Sequence, residues 1–234
     1  MERCQFPPVG DQVKNFAFVG EAGSGKSELA ISFARYLAAQ GRQVHFFDLD
    51  MTKPLFRSRD AAAVLEEAGV MVHFQEQFMD APTLVGGVGP LLRDKEATVI
   101  MDVGGDHIGA RSLGGFAPML NRPDAAVFYV VNAYRPWSDT IDHIDETLGK
   151  ILGVSHIQLK QLYMVSNPNN GHTTTAQEVL EGHRRTVELV GEYLPVSFAC
   201  VREELLDQVA PLLEVPVFPL RLTLAYPWLS EGEL

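Results

Sequence analysis

The sequence predicts an α/β fold built on a mostly parallel sheet. Three observations carry that prediction. Apolar runs of strand length alternate with helical patterns along the chain. A glycine-rich loop joins the first of these runs to a helix. Aspartates follow two of the runs, at the strand ends where parallel sheets gather ligand-binding groups.

The elements follow in chain order. Strands are expected near 14–19, 43–48, 97–102, 125–131, 160–166 and 196–200, with a weaker one near 70–74. After the glycine loop, Leu29, Ala30, Phe33, Ala34 and Leu37 recur at helical spacing. In 138–152, Ile141, Ile144, Leu148 and Ile151 line one face, and Ser138 is the expected N-cap. In 176–192, Val179, Leu180, Val187 and Val190 form an apolar stripe, and Thr175 with Glu178 reads as a capping box. No repeat, low-complexity tract or linker interrupts the pattern, so 1–234 is expected to be one domain with its core at about 14–220.

Composition bounds the function. The formal net charge is −11, which disfavours a broad nucleic-acid surface. No apolar run reaches membrane-span length, and the stretch Leu220 to Leu234 is not a basic amphipathic helix, so no membrane anchor is expected. The start of the chain lacks the long apolar stretch of a secretory signal. Cys4 and Cys200 have neither metal nor redox spacing, and Cys200 is expected in a strand as a reduced, buried thiol. A cytoplasmic location is the expectation.

The chemistry concentrates in Gly20-Glu21-Ala22-Gly23-Ser24-Gly25-Lys26-Ser27. This run fits the phosphate-binding pattern G-x-x-x-x-G-K-[ST], which chance produces roughly once in 100 chains of this size. Glycines let the backbone turn its N–H groups toward an anion, and the helix N-terminus adds its positive dipole end. Lys26 would reach the outer phosphates and the Ser27 hydroxyl would hold Mg²⁺.

The strand ends add acids. Asp48 and Asp50 lie two apart, on one side of an extended chain. One would hold a magnesium-bound water and the other would orient an attacking water. Asp102 ends the apolar run 97–102 and would reach Mg²⁺ directly or through water. Gly104 and Gly105 follow, making the segment up to Asp106 a mobile switch by expectation. Asn132 and Asn167 close later strands, where an amide could read a purine edge or simply build a turn. No N-K-x-D guanine-reading run occurs, which favours ATP. The histidines show no metal spacing; His45 reads as a satisfied core residue and His107 as ligand-facing. Arg57, Arg59 and Arg111 could neutralise transition-state charge, with exposed surface arginine as the default reading.

In this order, Gly20–Ser27, Asp48-Leu49-Asp50, Asp102-Val103-Gly104-Gly105-Asp106 and Asn167 resemble the MinD/ParA/CobQ-type nucleotide-binding proteins. That phosphate-loop class also contains nitrogenase iron protein and dethiobiotin synthetase. The resemblance implies a seven- or eight-stranded, mostly parallel sheet with helices on both faces. It implies that Lys26 and Ser27 bind phosphate and magnesium, Asp50 positions the attacking water and Asp102 is the second acid. It makes Asn167 the adenine reader, and Cys200-Val201-Arg202-Glu203 resembles the base-side loop.

Departures limit what carries over. Many relatives place a lysine after the first glycine of the loop, where it crosses a dimer interface. Here that residue is Glu21, whose carboxylate is expected to repel phosphate. No cysteine pair for an iron–sulfur cluster is present. The expectation is a switch that binds ATP·Mg²⁺, hydrolyses it slowly and acts on a partner protein, with a homodimer admitted. Two alternatives stand beside it: a small-molecule kinase or ATP-dependent ligase, and a nucleotide binder without useful hydrolysis.

Overall fold

A computed structural model describes residues 6, 8–50, 61–73 and 87–224. Arg57, Arg59 and Cys4 lie outside them, as do the residues after Leu224.

Eight strands form one parallel sheet: β1 (Asn15–Val19), β2 (Gln43–Leu49), β3 (Met71–His73), β4 (Ala97–Val103), β5 (Ala125–Val131), β6 (Leu162–Ser166), β7 (Val196–Arg202) and β8 (Val217–Leu220). Their order across the sheet is β3-β2-β4-β1-β5-β6-β7-β8. The alternating pattern placed the first seven; β8 is additional, a short edge strand containing Pro219. Proline lacks an N–H, so it is tolerated at a sheet edge. The helices are α1 (Lys26–Ala39), α2 (Ala62–Glu67), α3 (Val88–Arg93), α4 (Asp106–Ala110), α5 (Ala117–Leu120), α6 (Ile141–Ser155), α7 (Ala176–Val190) and α8 (Leu206–Val209).

The strands are apolar throughout because both faces are covered. On one face Phe16, Phe18, Phe46, Ile100, Phe128 and Phe198 pack against Leu29, Ile31 and Phe33 of α1. Phe33 meets Phe16 at 5.0 Å and Phe128 at 5.6 Å between ring centroids, both edge to face. On the other face Ala17, Met101, Tyr129 and Met164 pack against α3, α5, α6 and the end of α7.

Two local expectations resolve differently. The capping box of α7 is present, with Thr175 Oγ1 accepting from the Glu178 N–H and the Glu178 carboxylate accepting from the Thr175 N–H. For α6 the N-cap is Thr140, whose hydroxyl accepts from the His143 N–H. Ser138 instead closes a 3₁₀ turn, Pro136–Ser138, because Pro136 starts that turn before α6 begins. Among the described residues no helix is long and apolar enough to cross a membrane.

The order explains where a ligand would sit. β1 lies in the middle of the sheet, with β4 on one side and β5 on the other. The chain leaves β1 in one direction to build β2 to β4 and then returns to the other side, which makes β1 the switch point. The glycine loop follows β1 directly.

Candidate functional site

The loop Gly20–Ser27 bridges the buried strand β1 and helix α1. Gly25 is the N-cap of α1, with φ of 85° and ψ of 13°, in the left-handed region that side chains disfavour. A Cβ there would also meet Asn167 Nδ2 at 2.3 Å. Glycine is therefore required by both torsion and space. Gly20 and Ser24 are buried, Glu21 and Gly25 half-buried, Ala22 and Gly23 exposed.

Lys26 is only 1% exposed, and its Nζ donates to the Glu21 carbonyl at 3.4 Å. The ammonium thus folds back across the loop toward its second residue. Ser27, in the first turn of α1, is also buried. Arg135, just after β5, braces the loop from outside, with Nε donating to the Gly23 carbonyl at 3.1 Å. Sequence reasoning passed over Arg135 in favour of Arg111, which lies exposed after α4. Its position directly after a strand was the available signal.

The acids gather on the neighbouring strand ends. Asp48 and Asp102 are register partners on β2 and β4, and Asp102 is also the partner of Phe18 on β1. By strand alternation both carry their side chains on the α1 face, with Phe46 and Ile100. Both are buried, as is Asp50. Asp48 Oδ1 accepts from the Asp50 N–H at 3.0 Å, which fixes the turn out of β2. A Cβ on Gly104 would meet Asp50 Oδ1 at 2.9 Å, and one on Gly105 would meet the Ala22 nitrogen at 2.9 Å. These glycines, expected to confer mobility, here permit contact: they seat the segment after β4 against both Asp50 and the loop. Asp106 opens α4, and its side chain lies outside the described residues. His107 is half-buried on the same helix.

Glu21 does not line the loop interior as its position suggested. Its Oε1 accepts from Thr147 Oγ1 of α6 at 2.7 Å, on the sheet face opposite α1. Burial pushes the Tyr129 phenol well above its usual range, and the nearby Glu21 carboxylate adds to that rise. Tyr129 and Thr147 carried no local signal in the sequence.

Asn167, expected as a base reader, ties the loop. Its Nδ2 donates to the Ser24 carbonyl at 2.7 Å. Asn132 is held by backbone: its Nδ2 donates to Asn169 O, and its Oδ1 accepts from the N–H groups of Tyr134 and Asn169. It builds the turn rather than reads a base. Arg202 holds the carbonyls of His172 and Thr174. Gly25, Asn167 and Arg202 line one narrow cleft with Thr174, Leu220 and Leu222. Cys200 also lines it, with its thiol pushed up by burial. His45, read as a satisfied core residue, is half satisfied. Its Nδ1 meets His73 Nε2 at 3.0 Å, while its buried Nε2 has no partner among the described residues.

The sites fit a phosphate chain and a hard cation. Gly20, Gly23 and Gly25 take positive φ, which lets the loop backbone turn its N–H groups toward an anion at the N-terminus of α1, where Lys26 is buried. Hydroxyl and carboxylate oxygens are the donors Mg²⁺ prefers. Among the described residues no three acidic, histidine or cysteine side chains form a metal cage by themselves. Mg²⁺ would therefore rely on Ser27, a carboxylate and substrate phosphates together, as is usual for that ion.

A profile of the CobQ/CobB/MinD/ParA nucleotide binding domain matches residues 16–195. The chain belongs to that family. No curated protein matches it significantly. Its fold is similar to chloroplast FtsY from Physcomitrella patens, at 15% identity and a TM-score of 0.52, covering 84% of this chain and 61% of that one. It is similar also to the cell division protein FtsY from Thermotoga maritima, at 16% identity and 0.53, covering 83% and 63%. FtsY from Elizabethkingia anophelis, solved in complex with GDP, aligns at 17% identity and 0.51, covering 83% and 61%. The chain thus spans about three fifths of those proteins, and at such identities the likeness is one of fold. As a family member it is a phosphate-loop protein of MinD/ParA type, with an eight-stranded parallel sheet and helices on both faces.

Proposed function

We propose that this chain is a cytoplasmic switch that binds ATP with Mg²⁺, hydrolyses it slowly and acts on a partner protein, such as an enzyme it activates or matures. The observation that carries the reading is the packing of Gly104 and Gly105 against Asp50 and Ala22. One short segment touches both the residue suited to hold a water and the loop suited to hold phosphates. Whatever sits in the loop therefore bears on the chain from Gly104 into α4.

The division of labour follows from position. Lys26 would neutralise charge on the outer phosphates, and the loop N–H groups would orient them. Ser27 and Asp102 would hold Mg²⁺, whose positive charge would offset that of the phosphates. Asp50 would orient a water in line with the bond to be broken. The water oxygen would bond to the outer phosphorus as the bridging oxygen departs with the electron pair, and one water proton would pass to a phosphate oxygen, giving ADP and inorganic phosphate. The brace from Arg135 to Gly23 would hold the loop in register for this. The base would lie in the cleft of Asn167 and Arg202. The absence of an N-K-x-D run supports adenine, while guanine is the rival because one structural neighbour was solved with GDP.

Phosphate release from ATP and from GTP, with and without Mg²⁺, tests the reading. Slow, Mg²⁺-dependent release from ATP that disappears in Lys26→Ala is expected. Unchanged release in that variant would overturn it. Turnover only after a metabolite is added would favour a kinase or ligase.

A further inference from the structure

Glu28 lies two residues after Lys26, in the first turn of α1, where the helix dipole favours a carboxylate. It is 5% exposed. A carboxylate that deep is costly unless hydrogen-bonded. Oε2 accepts from the Thr223 N–H at 2.9 Å and Oε1 from the Leu224 N–H at 2.9 Å. One turn further along α1, Ser32 Oγ donates to the Arg221 carbonyl at 2.9 Å. The segment that follows β8 is thereby fastened along one side of the helix that begins at Lys26.

This segment forms a wall. Leu220 and Leu222 line the cleft whose other side is Gly25 and Asn167, and Glu28 itself lies in the lining. The cleft is narrow, with an interior of about 40 Å³. The loop side is fixed by the bond from Asn167 to Ser24. The opposite side rests on β8, which among the described residues is an edge strand paired to β7, and on the bonds to Glu28. Where that wall stands depends on Glu28.

We propose that Glu28 is a positioning residue for the base side of the nucleotide site. It sets the Leu220–Leu222 wall against which a nucleobase packs, and it joins that wall to the helix that begins at the phosphate loop. This rests on the nucleotide reading above. It goes beyond it in separating two parts of binding: affinity for a whole nucleotide depends on Glu28, and affinity for a bare phosphate chain does not.

Calorimetric titration with ATP and with inorganic tripolyphosphate, both with Mg²⁺, separates the parts. Wild type, Glu28→Ala and Glu28→Gln are compared, with folding checked by circular dichroism. The glutamine keeps one acceptor oxygen and the shape of the side chain. Loss of both charge-assisted bonds is expected to weaken ATP about tenfold in Glu28→Ala, with less loss in Glu28→Gln and less than about twofold loss for tripolyphosphate. If Glu28→Ala does not fold, the glutamine variant carries the test by the same ratio. Equal losses for both ligands, or no loss for either, would overturn the inference and leave the nucleotide reading intact. A wild-type protein that binds neither ligand would overturn both.

Discussion

Replacing Gly25 with alanine tests the loop geometry quantitatively. The residue sits at φ 85°, where an L side chain costs about 1–2 kcal/mol. The new Cβ would meet Asn167 Nδ2 at 2.3 Å, so that amide must move and give up its 2.7 Å bond to the Ser24 carbonyl. That loss adds about 1–2 kcal/mol, since the carbonyl is left without its partner. The sum is about 2–4 kcal/mol. If the loop keeps its shape, the folded state bears the cost and Tm falls by roughly 5–15 °C. If the loop relaxes when free, it must be rebuilt on binding and nucleotide affinity falls about 30-fold to several hundred-fold. Calorimetric melting and titration, run on the same samples, should together account for the sum. A variant with wild-type Tm and wild-type affinity would refute the reasoning.

Other perturbations probe separate parts. The Gln161 side chain donates to the carbonyls of Leu120, Arg122 and Ala125, at 2.8, 2.7 and 3.2 Å. Gln161→Leu should lower stability by about 1–3 kcal/mol in urea unfolding with nucleotide affinity unchanged once folded. Arg135→Ala removes the outer brace on Gly23, so nucleotide affinity should fall about threefold with little change in Tm; an unaltered Kd would discount the brace. Burial lowers the pKa of His45 and of His73, with Asp94 opposing the fall at His45 and His45 adding to it at His73. The unfolded chain therefore takes up protons first as pH falls. Stability should be full above about pH 6.5 and decline as pH drops through the lowered folded values. Burial lowers His183 in the same direction, so His73→Gln should flatten the urea-derived profile between about pH 7 and 5 without levelling it.

What the sequence revealed was local or periodic. The loop is contiguous, and its strand and helix flank it in the chain. Asp48, Asp50 and Asp102 were legible because parallel strands end on one edge, so acids after separate strands must meet there. Tertiary contacts decided the rest. Glu28 bonds to Thr223 and Leu224, 195 and 196 residues away, and Arg135 bonds to Gly23 across 112 residues. Nothing near either residue announces its partner. Glu21 reads as a charge facing phosphate until Thr147 of α6 is seen to hold it. Asn167 reads as a base reader, and nothing in the sequence signals that its amide also ties the Ser24 carbonyl. Gly104 and Gly105 signalled freedom, whereas the fold uses their small size for close approach. β8 escaped notice because four residues containing a proline carry little periodic signal.

The central claim is that the loop around Lys26 holds the phosphates of a nucleoside triphosphate. Titration of ATP into the protein with Mg²⁺, repeated with EDTA and with a folded Lys26→Ala variant, tests it most directly. Saturable binding with Mg²⁺ that weakens without the metal and is lost in Lys26→Ala is the predicted result. Equal affinity in the variant, or no binding of ATP or GTP by the wild type, would contradict the account.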